Sequence, residues 1–362
     1  VDAKGRQLRV LQEVAPRPGS DLTLTLDAEL QAEAERALAG RRGAIVMMDP
    51  NNGEVLVLAS SPGFDPNSFL DGSRAGELHR VLVSPASPFL NRAIQGLYPP
   101  GSTFKIVTTA AGLEERRLDP REPVVCRGGL RLGRDQRIIR CWLHRGHQSV
   151  TLIPALANSC DVYYYLLGLR LGSGILHDYA RVLGYGEPTG IDLGGEATGL
   201  VPNAEWKMAR RRQAWFDGDQ ANFSIGQGDL QATPLQVAGG TRYTPRLVLR
   251  AGIGDSVRAT EGAVRRRFRF SETTLAALRE GLERVVREGT GRAAAVPGIR
   301  VAGKTGSSET GRGLTHAWFC GYAPADAPRI AFAVVIEASG HGGTVAAPVA
   351  RRLIAKALGV SV

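Results

Sequence analysis

The sequence predicts a mixed fold of the α/β (α+β) class: an antiparallel sheet flanked by helices, with a helical subdomain inserted into it. Three observations carry this. Apolar strand-like runs lie near both ends of the chain, at 44–58 and 299–337. The stretch from about 91 to 238 is mostly helical in pattern. Turn residues separate neighbouring runs closely enough to join them as hairpins. Strands from both ends would share one sheet, which makes a single non-contiguous architecture and not two beads.

Taken in order, residues 1–25 alternate polar and apolar around Pro16, Pro18 and Gly19, as a linker entering a domain would. Asp27 is placed to cap a helix running through Leu38, with Leu30, Ala34, Ala37 and Leu38 on one face. The runs Ala44 to Met48 and Glu54 to Leu58 flank Asp49-Pro50-Asn51-Asn52-Gly53, a hairpin turn. After the helical middle, 299–305, 316–322 and 329–337 read as strands. The last two are joined by a turn rich in Ala, Pro and Asp. Val345, Val349, Leu353 and Ala357 then repeat at helical spacing within 344–358. There is no internal repeat.

With 362 residues, 43% of them hydrophobic and 22% charged, the chain is not collagen-like, coiled-coil, disordered or a disulfide miniprotein. No apolar run reaches the ~20 residues that cross a bilayer, and no signal segment precedes Val1, so the chain reads as a fragment. Its net charge of +10 is almost all arginine: Lys4, Lys105, Lys207, Lys304 and Lys356 are the only lysines among 45 basic residues. Such charge mostly decorates a solvated surface; an anionic lipid-linked substrate or a phospholipid surface would also suit it. The clusters at Arg210-Arg211-Arg212 and Arg265-Arg266-Arg267 have no interleaved aromatics, and nucleic acid is not expected as a partner.

The lysine pattern points to chemistry. In Pro99-Pro100-Gly101-Ser102-Thr103-Phe104-Lys105 the prolines and glycine end one segment, and Thr103 onward favours helix. Ser102 and Lys105 are therefore neighbours on one helical face. A serine hydroxyl needs a base, and a neutral lysine amine can serve where arginine cannot. Lowering a lysine pKa from ~10.4 to ~7 costs roughly 4–5 kcal/mol, which burial and a second nearby cation can supply. Ser-x-x-Lys alone is weak, because 18 serines and five lysines give roughly a quarter of one chance match. Its companions are Asn158-Ser159-Cys160-Asp161, which opens an apolar helical run from Val162 to Leu169, and Gly303-Lys304-Thr305-Gly306-Ser307 on a strand.

Ser102 to Lys105, Ser159 to Asp161 and Lys304 to Gly306, in this order and at these separations, resemble the three motifs of penicillin-binding transpeptidases and serine β-lactamases. Five flanking stretches resemble class B penicillin-binding proteins, nearest the elongation-type (penicillin-binding protein 2) subfamily: Asn91-Arg92-Ala93, 224–228, Ala232-Thr233-Pro234, 316–319 and 340–343. The resemblance spans about 20–360. It implies a serine β-lactamase/penicillin-binding-protein-like fold. Residues 1–20 would be the tail of an N-terminal stalk module and 21–362 the transpeptidase domain. It also implies a bacterial, extracytoplasmic location, anchored to the cell membrane by a helix outside this fragment.

What the resemblance implies for the site is specific. Ser102 would attack the penultimate D-Ala carbonyl of a peptidoglycan stem peptide ending in D-Ala-D-Ala, and β-lactams would acylate the same hydroxyl. Lys105 would take the serine proton, and Ser159 would relay protons to the leaving amine and from the incoming one. Lys304 would be a fixed cation beside the substrate carboxylate, which Thr305 and Ser307 hydroxyls would bond. The N–H groups of Ser102 and Ser307 would form an oxyanion hole, worth about 3–4 kcal/mol per donor. Gly306 would leave the strand edge open for substrate. The partner implied is a polytopic membrane glycan polymerase, and no organic cofactor is expected. Asp161, grouped with the substrate-binding residues, stands where most of the wider family has Asn, a variant of the elongation type, and its role is open. Helix also runs about ten residues further in the family where this chain passes from Ala238 to Gly239: either the loop is short or residues are missing from the sequence.

Cys126, Cys141 and Cys160 fall within 35 residues, together with His144 and His147. Two readings stand. One is a Cys126–Cys141 disulfide in an oxidising space with Cys160 free. The other is a structural Zn²⁺ held by Cys126, Cys141, His147 and Cys160, a closed Cys₃His set. Some members of the resembled subfamily place a metal beside the second motif, held by Asp, Asp, His and Cys in this order. Cys320 reads as a core residue, Trp142 as packing more than a substrate platform, and Tyr163-Tyr164-Tyr165 as helix packing. Neither His316 nor His341 is needed as a base. A β-lactamase or β-lactam sensor on the same fold is the competing function, but no Glu-x-x-x-Asn that could hold deacylating water lies between Asp161 and Lys304. Intact Ser102, Lys105, Ser159 and Lys304 argue against a non-enzymatic scaffold.

Overall fold

The computed structural model describes residues 3–361 apart from 4, 5, 7, 11, 13, 17, 18, 71–74, 134, 135, 240–242, 254, 255, 267, 268 and 312. Its strands are β1 (Asp21–Leu24), β2 (Gly43–Met48), β3 (Val55–Ser61), β4 (Val124–Cys126), β5 (Gly129–Leu132), β6 (Arg137–Arg140), β7 (Gln148–Val150), β8 (Val248–Gly252), β9 (Arg258–Ala259), β10 (Ala302–Glu309), β11 (Thr315–Ala323) and β12 (Ile330–Ile336). Its helices are α1 (Ala28–Leu38), α2 (Ala75–Leu82), α3 (Lys105–Glu114), α4 (Leu152–Ala157), α5 (Asp161–Val182), α6 (Ala204–Arg211), α7 (Asp217–Ser224), α8 (Pro234–Ala238), α9 (Glu272–Arg287) and α10 (Gly342–Ala357).

Five antiparallel strands in the order β10-β11-β12-β2-β3 form the main sheet, so both chain ends do contribute to it. The strands alternate between two cores. Ile45, Met47, Val57, Phe319, Phe332 and Val334 face α1 and α10. Ala44, Val46, Met48, Trp318, Cys320, Ala333 and Val335 face Ala93, Ile94, Tyr98 and Leu235. Covered on both faces, these strands read as continuous apolar runs and not as alternating ones. A third core, around Phe104, Leu156, Val162, Tyr164, Leu167 and Phe223, belongs to the helical subdomain. The Asp27 carboxylate caps α1 by accepting from the N–H groups of Glu29 and Leu30, at 3.0 Å each. Leu30, Ala34 and Leu38 are buried while Ala37 sits at the margin.

Several expectations are corrected. The last residues of the expected linker, β1, pair with β8 in a three-stranded sheet completed by β9. Within the middle segment, β4–β7 and β5–β6 form two small antiparallel ribbons among the helices. Their strands are three or four residues long, too short for periodicity to show. The strand expected from 299 begins at Ala302, since Ile299 is held in an isolated bridge with Val296. The run expected to end at Leu169 continues as α5 to Val182, broken at Gly172 with φ 76°. Gly239 ends α8 with φ 103°, and part of the segment expected to be short or incomplete, 240–242, lies outside the described residues.

Candidate active site

Ser102 sits on a single 3₁₀ turn, Gly101–Phe104, that leads directly into α3. Residues three apart eclipse in a 3₁₀ turn, so Ser102 and Lys105 stack on one side of it. The turn is fastened at several points. Gly101 N–H donates to Gly226 O at 2.9 Å, Thr103 Oγ1 to Pro100 O at 2.8 Å, and Trp318 Nε1 to Pro99 O at 3.1 Å. Gly101 has φ 55°, and a Cβ there would lie 3.1 Å from Ser307 O and 3.3 Å from Ser307 N. That close approach seats the serine turn against the Ser307 peptide of β10. Ser102 is half-buried and Lys105 wholly buried.

Three acceptors converge on Lys105 Nζ: Ser159 O at 2.9 Å, Ser159 Oγ at 3.1 Å and Asp161 Oδ1 at 2.7 Å. Ser159 reaches with both oxygens because its backbone is left-handed, φ 55°, a conformation uncommon for serine and frequent where a site holds strain. The Tyr164 ring centroid lies 5.2 Å from the same Nζ, so one of the three packing tyrosines also faces the site. Asp161, expected among the substrate contacts, has both oxygens engaged inside the protein: Oδ2 accepts from Trp142 N–H at 2.8 Å. Trp142 is 52% exposed, and so is not simply packing. Its indole N–H also donates to Asn158 O at 3.0 Å and Ser159 O at 3.1 Å, clipping together the loop that faces Lys105. Nothing in the sequence pattern reveals this, beyond its place next to Cys141.

β10 is the edge of the main sheet, and its register divides the third motif between two faces. Lys304 and Gly306 share the face of Cys320 and Trp318, towards the nucleophile turn. Thr305 and Ser307 lie on the α10 face. Thr305 Oγ1 is 2.6 Å from Thr290 Oγ1, while Ser307 Oγ accepts from Gly342 N–H at 3.3 Å and lies 3.5 Å from His341 Nδ1. Gly306 is buried, and a Cβ on it would lie 2.9 Å from Pro100 O, 3.0 Å from Trp318 Cβ and 3.1 Å from Thr103 Cγ2. Its lack of a side chain therefore lets the serine turn sit down on the strand.

Lys304, expected to be a fixed cation, is fully buried with Thr305 O as the acceptor of its amine at 3.1 Å. Burial first, and then the charge of Lys105, hold it well below the ordinary lysine range. One carboxylate, Asp161, thus faces two buried amines. A buried ammonium without its own counter-ion is costly, which is the cause of the depression at Lys304. Lys105 has the Asp161 carboxylate among its three acceptors, whereas Lys304 has the Thr305 carbonyl.

The ligand-type atoms of Cys126, Cys141, His147 and Cys160 lie within 4.8 Å of one another. Cys126 Sγ and Cys141 Sγ approach His147 Nδ1 at 3.7 and 3.5 Å. All four cysteines are unbridged in the structure, with no Cys126–Cys141 disulfide. The hydrogen bond between Cys141 and Cys160 favours thiolate at Cys141 and keeps the proton on Cys160. Although burial opposes it, the sulfur contacts raise His147 above its ordinary value. Its buried Nε2 has no partner among the described residues. Cys320 is 4% exposed in the sheet core, as expected, and burial pushes its thiol up to about 12.

The described geometry matches known proteins closely. Residues 43–355 match the penicillin binding protein transpeptidase domain. Peptidoglycan D,D-transpeptidase MrdA of Acinetobacter baumannii is 38% identical over 369 residues, covering 95% of this chain and 55% of that protein. The chain thus spans about half the length of this curated relative. The crystal structure of Pseudomonas aeruginosa PBP2 in complex with WCK 5153 superposes with a TM-score of 0.83 at 35% identity, covering 96% of this chain and 78% of that one. A peptidoglycan synthase complex solved for the structural coordination of polymerization and crosslinking gives 0.83 and 35%, covering 100% and 67%.

Proposed function

Because this chain belongs to the penicillin binding protein transpeptidase domain family, we propose that it is a peptidoglycan D,D-transpeptidase of the elongation type. It would cross-link stem peptides ending in D-Ala-D-Ala through an acyl-enzyme on Ser102. The observation that carries the reading is the meeting of three distant motifs: the Ser102–Lys105 turn lies on Gly306 of β10, and Lys105 lies on Ser159 and Asp161.

Ser102 Oγ attacks the penultimate D-Ala carbonyl while Lys105 Nζ takes its proton, for which the amine must be neutral. The carbonyl oxygen becomes an oxyanion between the N–H groups of Ser102 and Ser307. As the C–N bond breaks, the departing D-Ala amine receives a proton through Ser159, leaving an ester on Ser102. An acceptor amine then gives a proton through Ser159 as it attacks the ester, and Ser102 recovers its own. Lys304, Thr305 and Ser307 lie along the edge strand where the substrate carboxylate would be held.

The test is the intact mass after incubation with benzylpenicillin. Addition of one whole penicillin to the peptide containing Ser102, persisting for minutes and lost in Ser102→Ala, is the expected result. Rapid hydrolysis with recovery of free enzyme would instead favour the β-lactamase reading.

The Cys/His cluster fits a structural Zn²⁺. A tetrahedral set with Zn–S ~2.3 Å and Zn–N ~2.0–2.1 Å keeps sulfur and nitrogen roughly 3.6 Å apart, against observed separations of 3.5 and 3.7 Å. Cys126, Cys141, His147 and Cys160 would supply four ligands, leaving no open position for chemistry; a bound ion would tie β4 and the Trp142 loop to the start of α5. Elemental analysis should find about one equivalent of zinc per chain. Metal-free protein with two thiols missing by thiol titration would sink this assignment.

No helix among the described residues is long and apolar enough to cross a membrane. We place the domain on the extracytoplasmic side of a bacterial membrane, joined through residues 1–20 to a stalk and anchor, with a membrane glycan polymerase as partner. Support comes from the family and from the likeness to the peptidoglycan synthase complex.

A further inference from the structure

Beyond the motif residues, one half-buried carboxylate joins both walls of the site. Glu337 follows β12 and begins the loop that leads through His341 to the N-terminus of α10. Its Oε1 accepts from Arg92 Nε and from Tyr98 OH, both at 2.8 Å, and its Oε2 accepts from Arg42 Nε at 2.9 Å. Arg92 is 3% exposed, and its two terminal nitrogens donate to Ser87 O and Ala86 O. Neither residue touches Ser102, Lys105, Ser159 or Lys304 through a hydrogen bond, and the mechanism above does not use them.

Tyr98 carries the connection. Its ring packs edge-on against His316 and Trp318, with centroids 5.2 and 6.0 Å away, and its backbone exchanges hydrogen bonds with Ala232 at 3.0 and 2.9 Å. Between Tyr98 and the Gly101–Phe104 turn lie Pro99 and Pro100, whose rings fix φ near −65°; Pro100 has φ −71°. Two successive prolines leave little freedom to absorb a displacement of Tyr98, so a shift there is passed on to Ser102. The far end of the Glu337 loop supports the other wall, since Gly342 N–H donates to Ser307 Oγ. The carboxylate is therefore anchored on one side to the nucleophile turn and on the other to the loop that backs β10.

We infer that Glu337, together with Arg92 and Tyr98, is a positioning element that sets the Ser102 turn against β10 for acylation. The inference rests on the transpeptidase reading. Its test separates the acylation step from binding and from folding. The protein and its Tyr98→Phe, Arg92→Lys and Glu337→Gln variants are labelled with a fluorescent penicillin over a concentration series, giving the pre-acylation dissociation constant and the limiting acylation rate. Endpoint labelling gives the fraction of competent sites. Misplacing reacting atoms by about 1 Å can cost ~100-fold, so loss of one fixing bond should slow limiting acylation by roughly ten-fold in Tyr98→Phe, and by more in Glu337→Gln. The dissociation constant should stay within about two-fold, because non-reacting contacts are kept.

A limiting rate in Tyr98→Phe within about two-fold of the unaltered protein, or a loss confined to the fraction of competent sites, would overturn the inference. If Glu337→Gln does not fold, Tyr98→Phe decides alone, as it removes one oxygen and keeps the ring. Failure of the unaltered protein to be acylated would overturn the transpeptidase reading and this inference with it. Normal acylation of both proteins would overturn the positioning role only.

Discussion

Gly306→Ala should slow acylation at Ser102 without weakening the first encounter with a β-lactam. The added Cβ would meet Pro100 O at 2.9 Å, Trp318 Cβ at 3.0 Å and Thr103 Cγ2 at 3.1 Å. Comfortable non-bonded carbon contacts lie at about 3.5–4.0 Å, so the neighbours must retreat by roughly 0.4 Å or more. Trp318 is fixed in the middle of β11, with its ring in the sheet core. The Pro100–Thr103 side, which carries Ser102, is the side that can give. If a 1 Å misplacement costs ~100-fold, half that distance costs roughly ten-fold, or about 1.4 kcal/mol of barrier. Overpacking should also cost about 1–3 kcal/mol of stability. A concentration series with a fluorescent penicillin, corrected for the fraction of competent sites, separates the limiting rate from the dissociation constant. If the glycine instead cleared a path for substrate, the dissociation constant would rise and the limiting rate would hold; that outcome refutes the contact reasoning.

Lys105→Arg should be nearly as damaging as Lys105→Ala, because a permanent cation cannot take the serine proton and a larger fork does not fit a wholly buried site; equal acylation rates for Lys105→Arg and the unaltered protein would refute this. Lys304→Arg, which a simple need for charge would tolerate, should also be strongly impaired in acylation, since its burial holds position 304 well below the ordinary lysine range. That depression also sets a sign for pH. Between the lowered value and the ordinary one the unfolded chain binds more protons at this lysine, so stability should rise with pH through that window relative to Lys304→Met, read as the difference in melting temperature between the two across pH. Trp142→Phe keeps the backbone N–H to Asp161 but removes the indole donor to Asn158 and Ser159. Loss of that bond, about 1 kcal/mol, should slow acylation by roughly five-fold. An unchanged rate would remove Trp142 from the support of Lys105.

Much of this molecule is decided by near neighbours in sequence, and that part was legible. The Asp27 cap, the hairpin of β2 and β3, the helical phase of α10 and the pairing of Ser102 with Lys105 depend on residues two to four apart, where backbone geometry alone fixes who meets whom. The metal-type cluster was legible for a different reason: its four ligand-type residues are of a recognisable kind and fall within 35 positions. Three-residue ribbons within the helical middle were not, because their pairing is held by partners and not by pattern.

The burial of Lys304, the contacts of Gly306, the second duty of Trp142 and the hydrogen bonds of Glu337 were decided by tertiary structure. Gly306 follows from a strand at one end of the chain meeting a turn that lies some two hundred residues away. Glu337 reaches Arg92 across 245 positions and Tyr98 across 239. Sequence specifies which groups can ionise, donate or pack. Whether water, a counter-ion or another backbone faces them is determined only when segments from both ends of the chain close on each other, because burial and Coulomb energy depend on everything within a few ångströms, not on what is adjacent along the chain.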